Sequence, residues 1–130
     1  MIALAKLPFL LHDAVALPAG LTFVLRPHRQ LSPLTPAARL ILQCYGGLIL
    51  FTCLVSLLFT LGPPAHPDAL RLAALSFAFW HAWPSYRAVA RLRGGIDVEG
   101  EMGTTLGGPA VHLAVHALLF FMFLGVGFWG

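Results

Sequence analysis

Charge is what this sequence has least of. Of its 130 residues only eight are Lys or Arg and five are Asp or Glu, 10% charged, while 58% are hydrophobic; soluble globular chains carry about 25% charged residues. That shortage excludes a soluble fold, whose surface would have to display large apolar patches. Nor does the charge balance need a nucleic-acid partner to explain it, and none is expected. A net charge of +3 is what basic residues at the ends of membrane spans supply when they orient a chain and meet lipid headgroups. Cysteine is scarce too: Cys44 and Cys53 fall nine residues apart in one predicted helix. They lie on opposite faces, which excludes a disulfide between them and leaves both as packing residues. No GxSxG is present, so Ser56, Ser76 and Ser85 lack the context of a hydrolytic nucleophile.

What the chain does have is long apolar stretches. It reads as one all-α domain, residues 1–130, an integral membrane four-helix bundle with spans at about 7–25, 37–61, 69–92 and 106–129, each near the roughly 20 residues that the hydrocarbon core requires. His12 and Asp13 interrupt the first stretch and argue against a signal peptide. Pro8 falls in the first turn of the 7–25 span and Pro18 inside it, a kink beside Ala16 and Gly20, small residues that admit a neighbouring helix. Arg26–Pro36 (RPHRQLSPLTP) is a surface loop and Gly62–Pro67 (GPPAHP) a rigid turn. Gly46–Gly47 permits close packing in the second span, Asp68 is expected to cap the third, and Gly94–Thr105 is a polar loop. Pro109, after Gly107–Gly108, starts the fourth.

The residues that carry chemistry sit inside these spans. His112 and His116, four apart, share one helix face. At about 1.5 Å per residue His81 and His116 meet near mid-depth, with His12 and Asp13 deeper and Tyr45 shallower. Ionisable groups at that depth are rare and tend to mark substrate or proton paths. Tyr45, Thr52 and Ser56 form a polar seam whose plain role is to bond helix carbonyls or a neighbouring helix, and Trp80, Trp83, Arg87 and Arg91 suit an interfacial anchor. Acid–base chemistry asks least of this set: a carboxylate beside imidazoles. The expected catalytic groups are therefore Asp13, His12, His81, His116 and Tyr45, with His112, Trp80, Trp83, Tyr86 and Arg87 contacting substrate. No cofactor is expected, since HxxxH lacks the glutamate of HExxH and no carboxylate or thiolate co-ligands stand at motif spacing.

The LPAG of the first span, YGG of the second, HxWPxYR of the third and GGPxxHxxxH of the fourth resemble the layout of small four-helix membrane proteins of fungal secondary-metabolite pathways, including membrane-bound epoxide hydrolases and cyclases. The resemblance implies an endoplasmic reticulum enzyme opening an epoxide in a polyketide or terpenoid pathway, and transfers no catalytic residue. The length and the late glycine–proline are also similar to the small scaffold of ergosterol synthesis, which implies a non-catalytic tether for pathway enzymes. A haem- or metal-binding protein is a third reading. The expected partners are the lipid bilayer and a lipophilic small molecule, with a homodimer offering a larger shared cavity.

Basic residues divide unevenly between the two ends of the spans, Arg26, Arg29, Arg39, Arg87, Arg91 and Arg93 on one side against Lys6 and Arg71 on the other. The positive-inside rule places the richer side in the cytoplasm. Glycosylation tags or cysteine labelling should find both termini on the same, non-cytoplasmic side; opposite labelling of the two ends would mean an odd number of spans.

Overall fold

A computed structural model describes residues 2–31, 33–63, 65–94 and 107–130; most of the Gly94–Thr105 stretch read as a loop lies outside the described residues. Helices are all that form there: α1 (Ile2–Leu25), a 3-10 turn at Pro27–Arg29, α2 (Pro36–Leu61), α3 (Pro67–Gly94) and α4 (Gly108–Trp129). The fold is an all-α bundle. Local chemistry sets the helix starts. Thr35 caps α2 by accepting from the Ala38 N–H (3.2 Å), with Pro36 in the first turn. Gly107 and Gly108, at φ of 81° and 79°, adopt the left-handed backbone that only glycine takes without strain, and turn the chain into α4.

Two local expectations are corrected. The first helix starts at Ile2 rather than Leu7, because Ile2–Lys6 contains nothing that breaks a helix, so Pro8 is an interior proline and not a first-turn one. Asp68 does not cap α3. The helix begins at Pro67, whose missing N–H is harmless there, and the Asp68 N–H donates to His66 Nδ1 (3.3 Å).

Among the described residues three helices are long and apolar enough to cross a membrane: Leu4–Leu25, Pro36–Leu61 and Gly108–Trp129. The expected fourth span, α3, has the length at 28 residues, but Arg71, His81, Ser85 and Arg87 make it too polar to qualify by composition. It lies along α4, from Arg71, whose Nε donates to the Gly130 carbonyl (2.8 Å), to Arg87 beside His112.

The architecture is two antiparallel hairpins. α1 packs chiefly on α2 and α3 chiefly on α4. Both chain ends lie at one end of the bundle: Lys6 Nζ donates to the Thr60 carbonyl (2.9 Å) near that end of the first hairpin, and Gln43 Nε2 to the Val24 carbonyl (3.2 Å) near the other. Phe9 joins the hairpins, its ring edge-on to Phe77 (5.3 Å) and Phe123 (4.9 Å), within a cluster completed by Ala74, Ala78 and Leu119. A second cluster, Ala16, Phe23, Ile49 and Cys53, fills the first hairpin toward the 26–35 loop. Large apolar side chains such as Phe51, Leu58, Phe79 and Phe121 point outward, as a lipid-facing surface requires.

At Gly46 α2 comes close to α1. A Cβ there would come within 2.7 Å of Phe23 Cβ and 3.0 Å of the Gly20 carbonyl, whereas one at Gly47 would meet nothing within 4 Å. Gly46→Ala should destabilise the protein in detergent by about 1–3 kcal/mol, the range for overpacking, and Gly47→Ala should leave it unchanged or slightly more stable. Thermal unfolding of both variants checks the contrast.

Candidate functional site

Three imidazoles from three helices form a continuous chain between the two aromatic clusters. His12 Nε2 lies 3.0 Å from Thr52 Oγ1, His12 Nδ1 lies 3.1 Å from His81 Nε2, and His81 Nδ1 lies 2.8 Å from His116 Nδ1. Each helix contributes one ring. His12 is fully buried and His81 is 1% exposed, held by packing of His12 on Phe77 and of His81 on Phe123. Pro84 interrupts the ladder of α3 one turn beyond His81. Ser85 Oγ donates to the His81 carbonyl (2.9 Å), one turn back on the same helix.

One hydroxyl proton gives the chain a direction. Thr52 Oγ1 donates to the Ile49 carbonyl (2.7 Å), so it accepts from His12 Nε2–H. His12 Nδ1 then accepts from His81 Nε2–H, and His81 Nδ1 accepts from His116 Nδ1–H. With one proton per ring, His116 Nε2 is left carrying a lone pair. The reversed chain, in which Thr52 donates to His12 and His116 Nε2 becomes a donor, uses the same heavy atoms, but reaching it takes one proton in at His116 Nε2 and one out at Thr52, and gives up the Thr52 bond to the Ile49 carbonyl.

All three imidazoles border a cleft, lined besides them by His112, Tyr45, Trp80, Arg87 and the apolar Val15, Ala16, Ala19, Phe23, Ile49 and Pro84. Its volume is about 50 Å³, more than the roughly 10–15 Å³ that one water needs and too little for a large molecule. Val15, His112 and His116 also line a groove between α1 and α4 of about 240 Å³, so the cleft continues toward lipid. His112 packs on His116 with ring centroids 4.3 Å apart and accepts from Arg87 Nη2 at 3.4 Å, a long bond at the cleft mouth. At the other end of the chain Thr52 lines a groove between α2 and α3 of about 380 Å³, with Phe51, Val55, Phe77, Phe79, Trp80 and Trp83. The imidazoles thus run across the bundle, from one lipid-facing groove to the other.

The remaining expected residues divide. Tyr45 stacks on Trp80 (6.2 Å) and joins the cleft. Trp83 faces the opposite groove, and Tyr86 is 69% exposed, away from the site. Asp13 does not pair with His81 or His116. Successive helix residues point about 100° apart, so His12 turns to α3 while Asp13 turns to α2, where the Ser56 hydroxyl divides its bonding between the Phe9 carbonyl (2.9 Å) and Asp13 Oδ2 (3.0 Å). Thr52, read from sequence as bonding helix carbonyls or a neighbouring helix, does both, to the Ile49 carbonyl and to His12, and is thereby also the terminus of the imidazole chain; its place on one face with Tyr45 and Ser56 was the available signal. No family model, curated protein or solved structure matches this chain.

The tautomers are directly measurable. Nitrogen NMR of labelled imidazoles should find His12 and His81 protonated at Nε2 and His116 at Nδ1, and Thr52→Val should shift the His12 and His81 resonances while leaving the exposed His66 unchanged.

Proposed function

We propose that the protein is a membrane-embedded acid–base enzyme acting on a lipophilic small molecule, with epoxide opening as the reaction that suits the site. The observation that carries this reading is His116 at the end of a chain of three imidazoles, beside a cleft with room for water; the chain direction set by Thr52 leaves its Nε2 with a lone pair. The substrate's apolar body lies in the α1/α4 groove and its epoxide enters the cleft. His116 takes a proton from water as the water oxygen attacks a ring carbon and the carbon–oxygen bond breaks. Tyr45, on the same cleft, donates a hydrogen bond to the departing oxygen, which finally receives the proton that His116 took, giving a diol. An internal hydroxyl in place of water gives cyclisation.

His81 and His12 support this step by spreading the positive charge that forms on His116 along a chain of hydrogen bonds, which matters most where the surroundings are apolar. Arg87 and His112 at the mouth meet the polar part of an entering substrate. Asp13 stands outside the cleft and is left out of the reacting set. An endoplasmic reticulum location is part of this proposal, as the sequence resemblance implies.

A lipophilic epoxide supplied to the detergent-purified protein should be hydrolysed or cyclised. His116→Ala should lower the rate by about a hundredfold or more, the lower end for a lost general acid–base group, and Tyr45→Phe by a smaller factor, while His66→Ala stays at wild type. Loss of lipophilic metabolites from cells lacking the gene identifies the natural substrate. Absence of turnover, together with His81→Gln recovering pathway enzymes as well as the wild type does, would favour a scaffold whose imidazoles only hold the hairpins together.

A further inference from the structure

Asp13 poses a problem that the imidazole chain does not solve. Its Oδ1 is sheltered from solvent and has no hydrogen-bond partner, at a depth of roughly 18 Å from the Leu25 end of α1. A carboxylate in hydrocarbon is retained only where something compensates its charge. The side chains around it supply neutral hydroxyls and an imidazole, and one further group: the thiol of Cys53, 3% exposed.

A ring nitrogen of His12, a carboxylate oxygen of Asp13 and Sγ of Cys53 all lie within 4.8 Å of one another. The helices dictate this meeting. On α2 Cys53 follows Thr52, which bonds His12, and precedes Ser56, which bonds Asp13, so the thiol falls between the two partners of α1. Ligands held at 2.0–2.3 Å around a tetrahedral zinc ion stand roughly 3.3–3.8 Å apart, so closing the set needs side-chain movements of about an ångström.

From this geometry we infer that His12, Asp13 and Cys53 form a zinc site. Nitrogen, oxygen and sulfur donors together suit zinc, whereas calcium and magnesium take oxygen donors. Charge favours the same ion. Binding releases the thiol proton and any proton on the carboxyl, and one carboxylate, one thiolate and a neutral imidazole around a divalent cation sum to zero, the arrangement a membrane interior accepts most readily. Ser56 on Asp13 Oδ2 orients the carboxylate, and His12 keeps one ring nitrogen for Thr52 or His81, as zinc-bound histidines keep an outer hydrogen bond. His12 also lines the cleft, which is the way in and leaves the fourth position to water. Spacing along the sequence hides this set, since its donors come from two helices. The inference does not rest on epoxide chemistry, and its test does not use turnover.

Cobalt is a spectroscopic stand-in for zinc. Purified protein titrated with cobalt should take up about one equivalent, with the visible bands of a tetrahedral ion and a near-ultraviolet thiolate charge-transfer band, both removed by added zinc. Cys53→Ser should abolish the thiolate band, Asp13→Asn should weaken binding at least about tenfold, and Cys44→Ser and His66→Ala should bind as the wild type does. Zinc should raise the Tm of the wild type but not of Cys53→Ser, a comparison valid even if that variant is less stable at the outset. The site is overturned if cobalt binds without a thiolate band, if the band survives in Cys53→Ser or disappears in Cys44→Ser, or if no saturable binding occurs.

Discussion

The hydrogen bond between His12 and His81 is the joint on which this structure depends. Water is absent from a bilayer core, so a buried polar side chain must find its partner within the protein or leave bonding capacity unused. α1 and α3 each carry an imidazole that already meets one partner within its own hairpin, Thr52 for His12 and His116 for His81, and the 3.1 Å contact between them satisfies the second nitrogen of both while drawing one hairpin onto the other. Phe9, Phe77 and Phe123 then close over that contact from one side. Aromatic packing supplies most of the area, but it is not directional; the imidazole pair sets which residue of α1 stands opposite which residue of α3.

The same joint gives the site its reach. Because His81 uses both ring nitrogens, one toward α1 and one toward α4, a change of protonation at His116 is felt at Thr52 on the far side of the bundle. Neither end is in bulk solvent. A narrow cleft admits water to one end, while apolar grooves flank both, an arrangement suited to a reactant that arrives through lipid and needs water only at its reacting atoms.

Much of the fold was legible because a membrane simplifies the reading: long apolar runs broken by proline, glycine and charge leave few other architectures. The helix starts at Pro36 and Gly108 follow from local chemistry that is visible in the sequence. The meeting of His81 with His116 followed from counting residues along each helix, since rise per residue is constant. Rotation was harder to read. Depth says nothing about azimuth, so Asp13 was expected to face the histidines, when its angle from His12 on the helix turns it to α2. Cys53 does pack, in the cluster that fills the first hairpin, but its place beside His12 and Asp13 was hidden for the same reason: which face of α2 meets α1 shows only in the assembled hairpin. Trp83 and Tyr86 were grouped with Trp80 by their aromatic character, yet of the three only Trp80 turns to the cleft.

The division into hairpins has a consequence for biogenesis. Within α1 and α2 the polar side chains already answer one another, Thr52 to His12, Ser56 to Asp13 and Lys6 to the Thr60 carbonyl, and within α3 and α4 His81 answers His116 and Arg71 the chain's last carbonyl. Each pair of helices therefore leaves the insertion machinery with most of its polar groups paired, and can wait in the bilayer as a separate unit. Docking of the two halves adds the bond between His12 and His81 and so completes the imidazole chain.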